Sequence, residues 1–113
     1  MDTRHPHFTA LYDHCAAKLA AVEDHPWDHV SFKVRGKLFA IFGQEDPPVM
    51  TVKARPDDLD ALLALEFIER APYVGRYGWV TVTVAEPEAL DLAFELIDHS
   101  YELVAGAGRR SKR

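Results

Sequence analysis

The most constraining feature of the chain is a change of hydrophobic period near residue 30. Before it, apolar side chains recur at helical spacing, with Phe8, Leu11, Tyr12, Cys15, Ala16, Leu19 and Val22 forming one stripe. After it the period is two. Val30, Phe32 and Val34 alternate with Ser31, Lys33 and Arg35, Gly36 marks a turn, and Leu38-Phe39-Ala40-Ile41-Phe42 is a second, more fully apolar run. Alternation at period two buries one face of a strand, and a glycine between two such runs closes a hairpin. A chain with this pattern folds a helix onto one side of an antiparallel sheet.

The rest of the chain extends the same plan. Val49-Met50-Thr51-Val52-Lys53 reads as a third strand. Arg55-Pro56-Asp57-Asp58 opens a second helix, with proline in its first turn and aspartates at its positive end, and Leu59, Leu62 and Leu63 facing the core. Ala71-Pro72 ends that pattern, and Trp79-Val80-Thr81-Val82-Thr83-Val84 is the clearest strand. From Pro87 a third helix carries Leu90, Ala93, Phe94, Ile97, Tyr101 and Val104 on one face, with Gly106 at its C-cap. Pro26 is expected to end the first helix. The predicted order is α-β-β-β-α-β-α, an α+β two-layer sandwich with an antiparallel sheet and helices on one face.

Residues 1–106 are expected to form one domain, with residues 107–113 as a basic tail. At 113 residues and 48% apolar content, one core suffices without a covalent staple. The single cysteine, Cys15, leaves no intramolecular disulfide and no cysteine-based zinc site. No apolar run approaches the roughly 18 residues of a membrane span, and the N-terminal residues show no signal-peptide pattern. The expectation is a cytoplasmic protein without a membrane partner.

Catalytic patterns find little support. Ser31, Ser100 and Ser111 lie outside any nucleophile elbow, and a hydroxyl at Ser100, inside a helix, ordinarily bonds back to the preceding turn. Cys15 sits on the apolar stripe, where cysteine acts as a small hydrophobe. Five of the six histidines (His5, His7, His14, His25 and His29) fall in the first 29 residues, but no helical metal-ligand pair appears among them. Gly75-Arg76-Tyr77-Gly78 precedes a strand and not a helix, so it makes no phosphate cradle. The expectation is a non-enzymatic protein with no cofactor and no metal.

Charge placement is more informative. The chain has 13 basic and 18 acidic residues, and four of the basic ones, Arg109, Arg110, Lys112 and Arg113, lie in the last five positions. An acidic body of this kind repels nucleic acid except where a basic face is concentrated. Lys33, Arg35, Lys37, Lys53 and Arg55 lie within one stretch that holds only Glu45 and Asp46 as acids. The predicted helices carry most of the acid. With helices over one sheet face, the opposite face and its hairpin become a positive patch, to which Arg76, Tyr77 and Trp79 add charge and aromatic surface. A wet sheet face also collects Lys and Arg simply to remain soluble.

Several segments together resemble the bacterial MmcQ/YjbR family. They are His25-Pro26-Trp27, Phe32-Lys33-Val34-Arg35-Gly36-Lys37-Leu38-Phe39-Ala40, Val52-Lys53-Ala54-Arg55-Pro56, Ala71-Pro72-Tyr73, Trp79-Val80-Thr81-Val82 and Ser100-Tyr101-Glu102-Leu103-Val104. The resemblance implies a secretion-chaperone-like α+β fold and a double-wing DNA-binding domain, a description that rests on fold analogy. It implies no catalytic residues. The stretch Val74-Gly75-Arg76-Tyr77-Gly78 departs from the more basic run common in the family and keeps only Arg76 as a cation. The functional expectation is a DNA-binding or regulatory module in which Lys33, Arg35, Lys37, Lys53, Arg55 and Arg76 contact phosphates while Tyr77 and Trp79 supply apolar surface. The alternatives are a protein-interaction or chaperone-like adaptor, and a small-molecule pocket under the Tyr73–Gly78 loop.

Overall fold

A computed structural model describes residues 6–25, 29–43, 46–72 and 78–106. Helix α1 (Pro6–Ala16) precedes strands β1 (Val22–Asp24), β2 (Val30–Val34), β3 (Lys37–Gly43) and β4 (Val49–Lys53). A 3-10 turn (Pro56–Asp58) leads into α2 (Leu59–Leu63), followed by β5 (Ile68–Arg70), β6 (Trp79–Thr83) and α3 (Pro87–Ala105). The strands form one antiparallel sheet in the order β1-β2-β3-β4-β6-β5. The α+β class is as the hydrophobic pattern predicts, with two short edge strands added.

Both added strands take residues that the periodicity assigns to helices. The first helix stops at Ala16 and does not continue to Val22. The Lys18 amide turns to the Cys15 carbonyl at 3.1 Å, and Ala20 takes φ +64, which reverses the chain. Leu19 and Val22 continue the helical spacing yet are 83% and 60% exposed, so spacing alone misplaces them. Val22–Asp24 instead pairs with β2. The second helix is likewise only five residues long, and Ile68 is buried where β5 pairs with β6. Pairing partners distant in sequence decided both cases.

The core lies between the sheet and the helices. Phe32 and Ala40, Phe42 and Met50, and Val52 and Val80 are cross-strand neighbours, and all are buried on the face toward α1 and α3. Phe8 of α1 packs its ring 5.5 Å from Phe42, and Tyr101 of α3 meets Phe39 edge-on at 5.3 Å. Burying apolar area of this kind is the main stabilising term.

A bulge interrupts the sheet at the centre of this face. The β2–β3 register jumps between Phe32, opposite Ala40, and Lys33, opposite Leu38, so Phe39 is the extra residue. Phe39 and Ala40 are consecutive yet both fully buried, which accounts for the unbroken apolar run in β3. The broken ladder leaves backbone groups without strand partners. Ser100 of α3 supplies them: its buried hydroxyl donates to the Phe39 carbonyl at 2.7 Å and accepts from the Lys53 amide at 3.0 Å. The expectation that this hydroxyl bonds to its own helix is thus corrected, because two strand groups are left open within its reach.

Helices α1 and α3 are joined through Asp98. Its carboxylate accepts from His14 Nε2 at 2.8 Å and from the Lys18 ammonium, while the His14 ring lies 4.7 Å from Phe94. Burial raises the pKa of Asp98, but the hydrogen bonds from Lys18 and His14 outweigh it and hold the group below the ordinary aspartate value.

Two outcomes follow from these contacts. Ser100→Ala leaves a buried carbonyl and a buried amide without partners, and is expected to cost about 2 kcal/mol or more in urea unfolding. Because the Asp98 pKa is depressed on folding, its contribution is present above the unfolded value near 4 and is lost as the pH falls through the folded value. Asp98→Asn should therefore lose less stability than the parent between neutral pH and about pH 3, as read from urea midpoints at each pH.

Candidate nucleic-acid interface

The hairpin tip, the end of β4, the start of β6 and the end of α3 all lie at one end of the sheet. This follows from the register: Val34 opposes Lys37, and Lys53 opposes Trp79. At the tip, Arg35 and Gly36 both have positive φ, +57 and +79, the geometry of a two-residue hairpin turn with the twist that suits flanking strands. Glycine adopts this conformation freely, whereas arginine does so at some cost.

A groove of about 470 Å³ opens at this end, lined by Lys33, Gly36, Lys37, Leu38, Lys53, Trp79, Leu103 and Val104. Four of the predicted site residues, Lys33, Lys37, Lys53 and Trp79, therefore converge. Lys33 and Lys53 lie on the helix-free face by register, and Lys37 projects from the start of β3 beside the turn. Lys33 Nζ is 2.9 Å from Asp24 Oδ2. That contact, together with the His25 amide, holds the Asp24 carboxyl below its ordinary pKa. Lys37 and Lys53 have no carboxylate within ion-pairing distance among the described residues.

The other predicted residues are placed differently. Arg35 does not join the helix-free face; its guanidinium donates to the Ala105 carbonyl at 2.9 Å, capping the negative end of α3. Left open, that carbonyl would present partial negative charge beside the groove. Arg55 lies in a neighbouring depression with Pro56, Asp57, Asp58 and Leu103, and its Nε is 3.0 Å from Asp58 Oδ2. Leu103 borders both depressions. Arg76 and Tyr77, the remainder of the Tyr73–Gly78 loop except Gly78, and the basic tail lie outside the described residues.

The helix-free face is therefore not uniformly basic. Its centre is a shallow depression lined by Ile41, Val49, Thr51, Thr81, Thr83 and the acidic Glu69, with the Thr51 and Thr81 hydroxyls 3.1 Å apart. The cations concentrate at the end of the sheet. The pattern of alternation places residues on faces but does not rank positions along a strand, so this shift was not visible in it. Leu38, Leu103 and Val104, the apolar walls of the groove, were also missed. Leu38 reads as a core residue until the bulge returns it to the side of Lys33.

Burial raises the Cys15 pKa far above its ordinary value, away from a reactive thiolate. Among the described residues, no three His, Cys, Asp or Glu side chains group as metal ligands, and no helix is long and apolar enough to cross a membrane.

A six-stranded antiparallel sheet, backed by helices on one side and ending in a lysine-rimmed groove, defines a small α+β protein of the sheet-and-helix sandwich class. The YjbR family model matches residues 16–103, and the chain belongs to that family. A crystal structure of a protein from Pseudomonas syringae, from a structural genomics programme, shares the fold at a TM-score of 0.65 and 20% identity. That match covers 92% of this chain and 99% of the other. No curated protein matches the sequence.

Substitutions at the groove separate its parts. Arg35→Ala frees the Ala105 carbonyl and should lower stability by about 0.5–1 kcal/mol in urea unfolding. Lys37→Glu, at an exposed position without an ion-pair partner among the described residues, should leave stability in urea unfolding within about 0.5 kcal/mol of the parent.

Proposed function

We propose that the protein is a non-enzymatic DNA-binding module that uses the basic end of its sheet. The observation that supports this reading is the convergence of Lys33, Lys37 and Lys53 on a groove whose lining, among the described residues, contains no carboxylate. Two of these ammonium groups have no carboxylate partner within the described fold and are therefore available to phosphates. The acidic body confines attraction to this end, so phosphate contacts here orient the protein as well as hold it. Arg35 acts as a positioning residue by neutralising the α3 terminus. In the sequence, the tail containing Arg109, Arg110, Lys112 and Arg113 begins just after α3 ends.

Two phosphate contacts, from Lys37 and Lys53, predict log affinity falling with log salt at a slope of about −1.5 to −2. Lys37→Glu combined with Lys53→Glu should weaken binding by about tenfold or more at low salt. The test is a titration with native and heat-denatured DNA at low ionic strength. Absence of binding to either form, or no effect of the double charge reversal, overturns the reading.

A protein-interaction adaptor is the second reading, favoured by one observation: Leu19 and Val22 are strongly exposed beside the edge strand β1. Sheet edges accept extended partner segments. A specific partner that survives nuclease treatment and is lost on Leu19→Ser with Val22→Ser, while the lysine substitutions leave it bound, would favour the adaptor.

A further inference from the structure

The groove joins two kinds of surface that phosphate binding alone does not require. Its lysines stand beside apolar walls from Trp79, Leu38, Leu103 and Val104. Trp79 is half-buried at the start of β6, directly across from Lys53, while its neighbour Val80 is fully buried on the opposite face. The indole therefore has a fixed backbone and faces the groove. Resting on the nucleic-acid reading above, we propose that this groove takes one unstacked base of a single-stranded nucleic acid against Trp79. Lys37 and Lys53, the lysines of the groove not paired with a carboxylate among the described residues, hold the adjoining phosphates.

Charge complementarity and size select this occupant. An acidic peptide without aromatic residues would satisfy the lysines but offers no planar group to the indole. A duplex keeps its bases stacked inside and presents only its phosphates to a shallow surface. An unstacked strand offers both a flat aromatic face and flanking anions, the combination found on single-strand binding surfaces. At about 470 Å³ the groove is toward the small end of the range for a whole organic ligand, which suits one base. Among the described residues the lining has no Asn, Gln or Arg to read base edges, so the described groove supplies no base-edge readout.

The experiment uses the full chain with Trp27→Phe, which leaves Trp79 as the only tryptophan. It is titrated at low salt with an oligothymidylate about twelve nucleotides long, a duplex of equal length, thymidine monophosphate and inorganic polyphosphate. The oligothymidylate should quench Trp79 fluorescence and bind at least about tenfold more tightly than the duplex or the mononucleotide. In the parent chain, followed by anisotropy of a labelled oligonucleotide, Trp79→Leu should weaken strand binding by about 5- to 100-fold and leave polyphosphate binding unchanged. Trp79→Phe should restore most of the affinity, which separates a stacking role from a folding defect. Equal or tighter binding of the duplex, the mononucleotide or polyphosphate, or no effect of Trp79→Leu, overturns single-strand recognition while leaving anion binding in place. Failure of every anion to bind overturns the underlying reading as well.

Discussion

The hydroxyl of Ser100 ties the architecture together. A helix normally packs on a sheet through apolar contacts, which permit some sliding. Here a buried oxygen is bonded to the Phe39 carbonyl of β3 and the Lys53 amide of β4. It fixes α3 against the sheet in both register and rotation, because buried polar groups tolerate little misalignment. The bulge that opens these two groups also turns Leu38 toward Lys33. One irregularity therefore creates the site of attachment and sets the wall of the groove. Leu103 and Val104 follow Ser100 by about one helical turn and stand at that same end as a consequence.

Charge is arranged along the sheet more than across it. Segregation between faces predicts a uniformly positive surface opposite the helices, but the middle of that surface is threonine and aliphatic and includes the carboxylate of Glu69. Lysines gather where the hairpin, β4 and α3 terminate. Of the arginines near this end, Arg35 closes a helix terminus and Arg55 pairs with Asp58. Surface pairs of the second kind contribute little stability and chiefly neutralise charge locally. The available positive field at the groove comes mainly from Lys37 and Lys53, a smaller set than residue counting suggests.

How much of this was legible depended on how local its cause was. Strands β2, β3, β4 and β6 and helix α3 follow from periodicity because each is amphipathic or apolar over several residues. The two edge strands did not, since Val22–Asp24 and Ile68–Arg70 are too short for a period and gain their conformation from β2 and β6. Leu19 and Val22 mimicked a helical stripe that Ala20 interrupts. The basic residues were identifiable by type, and Lys33, Lys37, Lys53 and Trp79 do converge. Their meeting at an end, and the diversion of Arg35 to Ala105, depend on the three-dimensional position of α3. The bulge left a trace in the sequence, the unbroken apolar run of β3, but that trace fits a strand buried on both faces equally well.

The left-handed conformation of Arg35 carries a lesson for redesign. An engineer idealising the hairpin would replace Arg35-Gly36 with Asn-Gly and relax the backbone. The more comfortable turn would come with a bare helix terminus, whose partial negative charge would then sit among the lysines. Local optimality and global purpose diverge at this residue, and a scheme that scored the loop by itself would discard the side chain that keeps the neighbouring surface cationic.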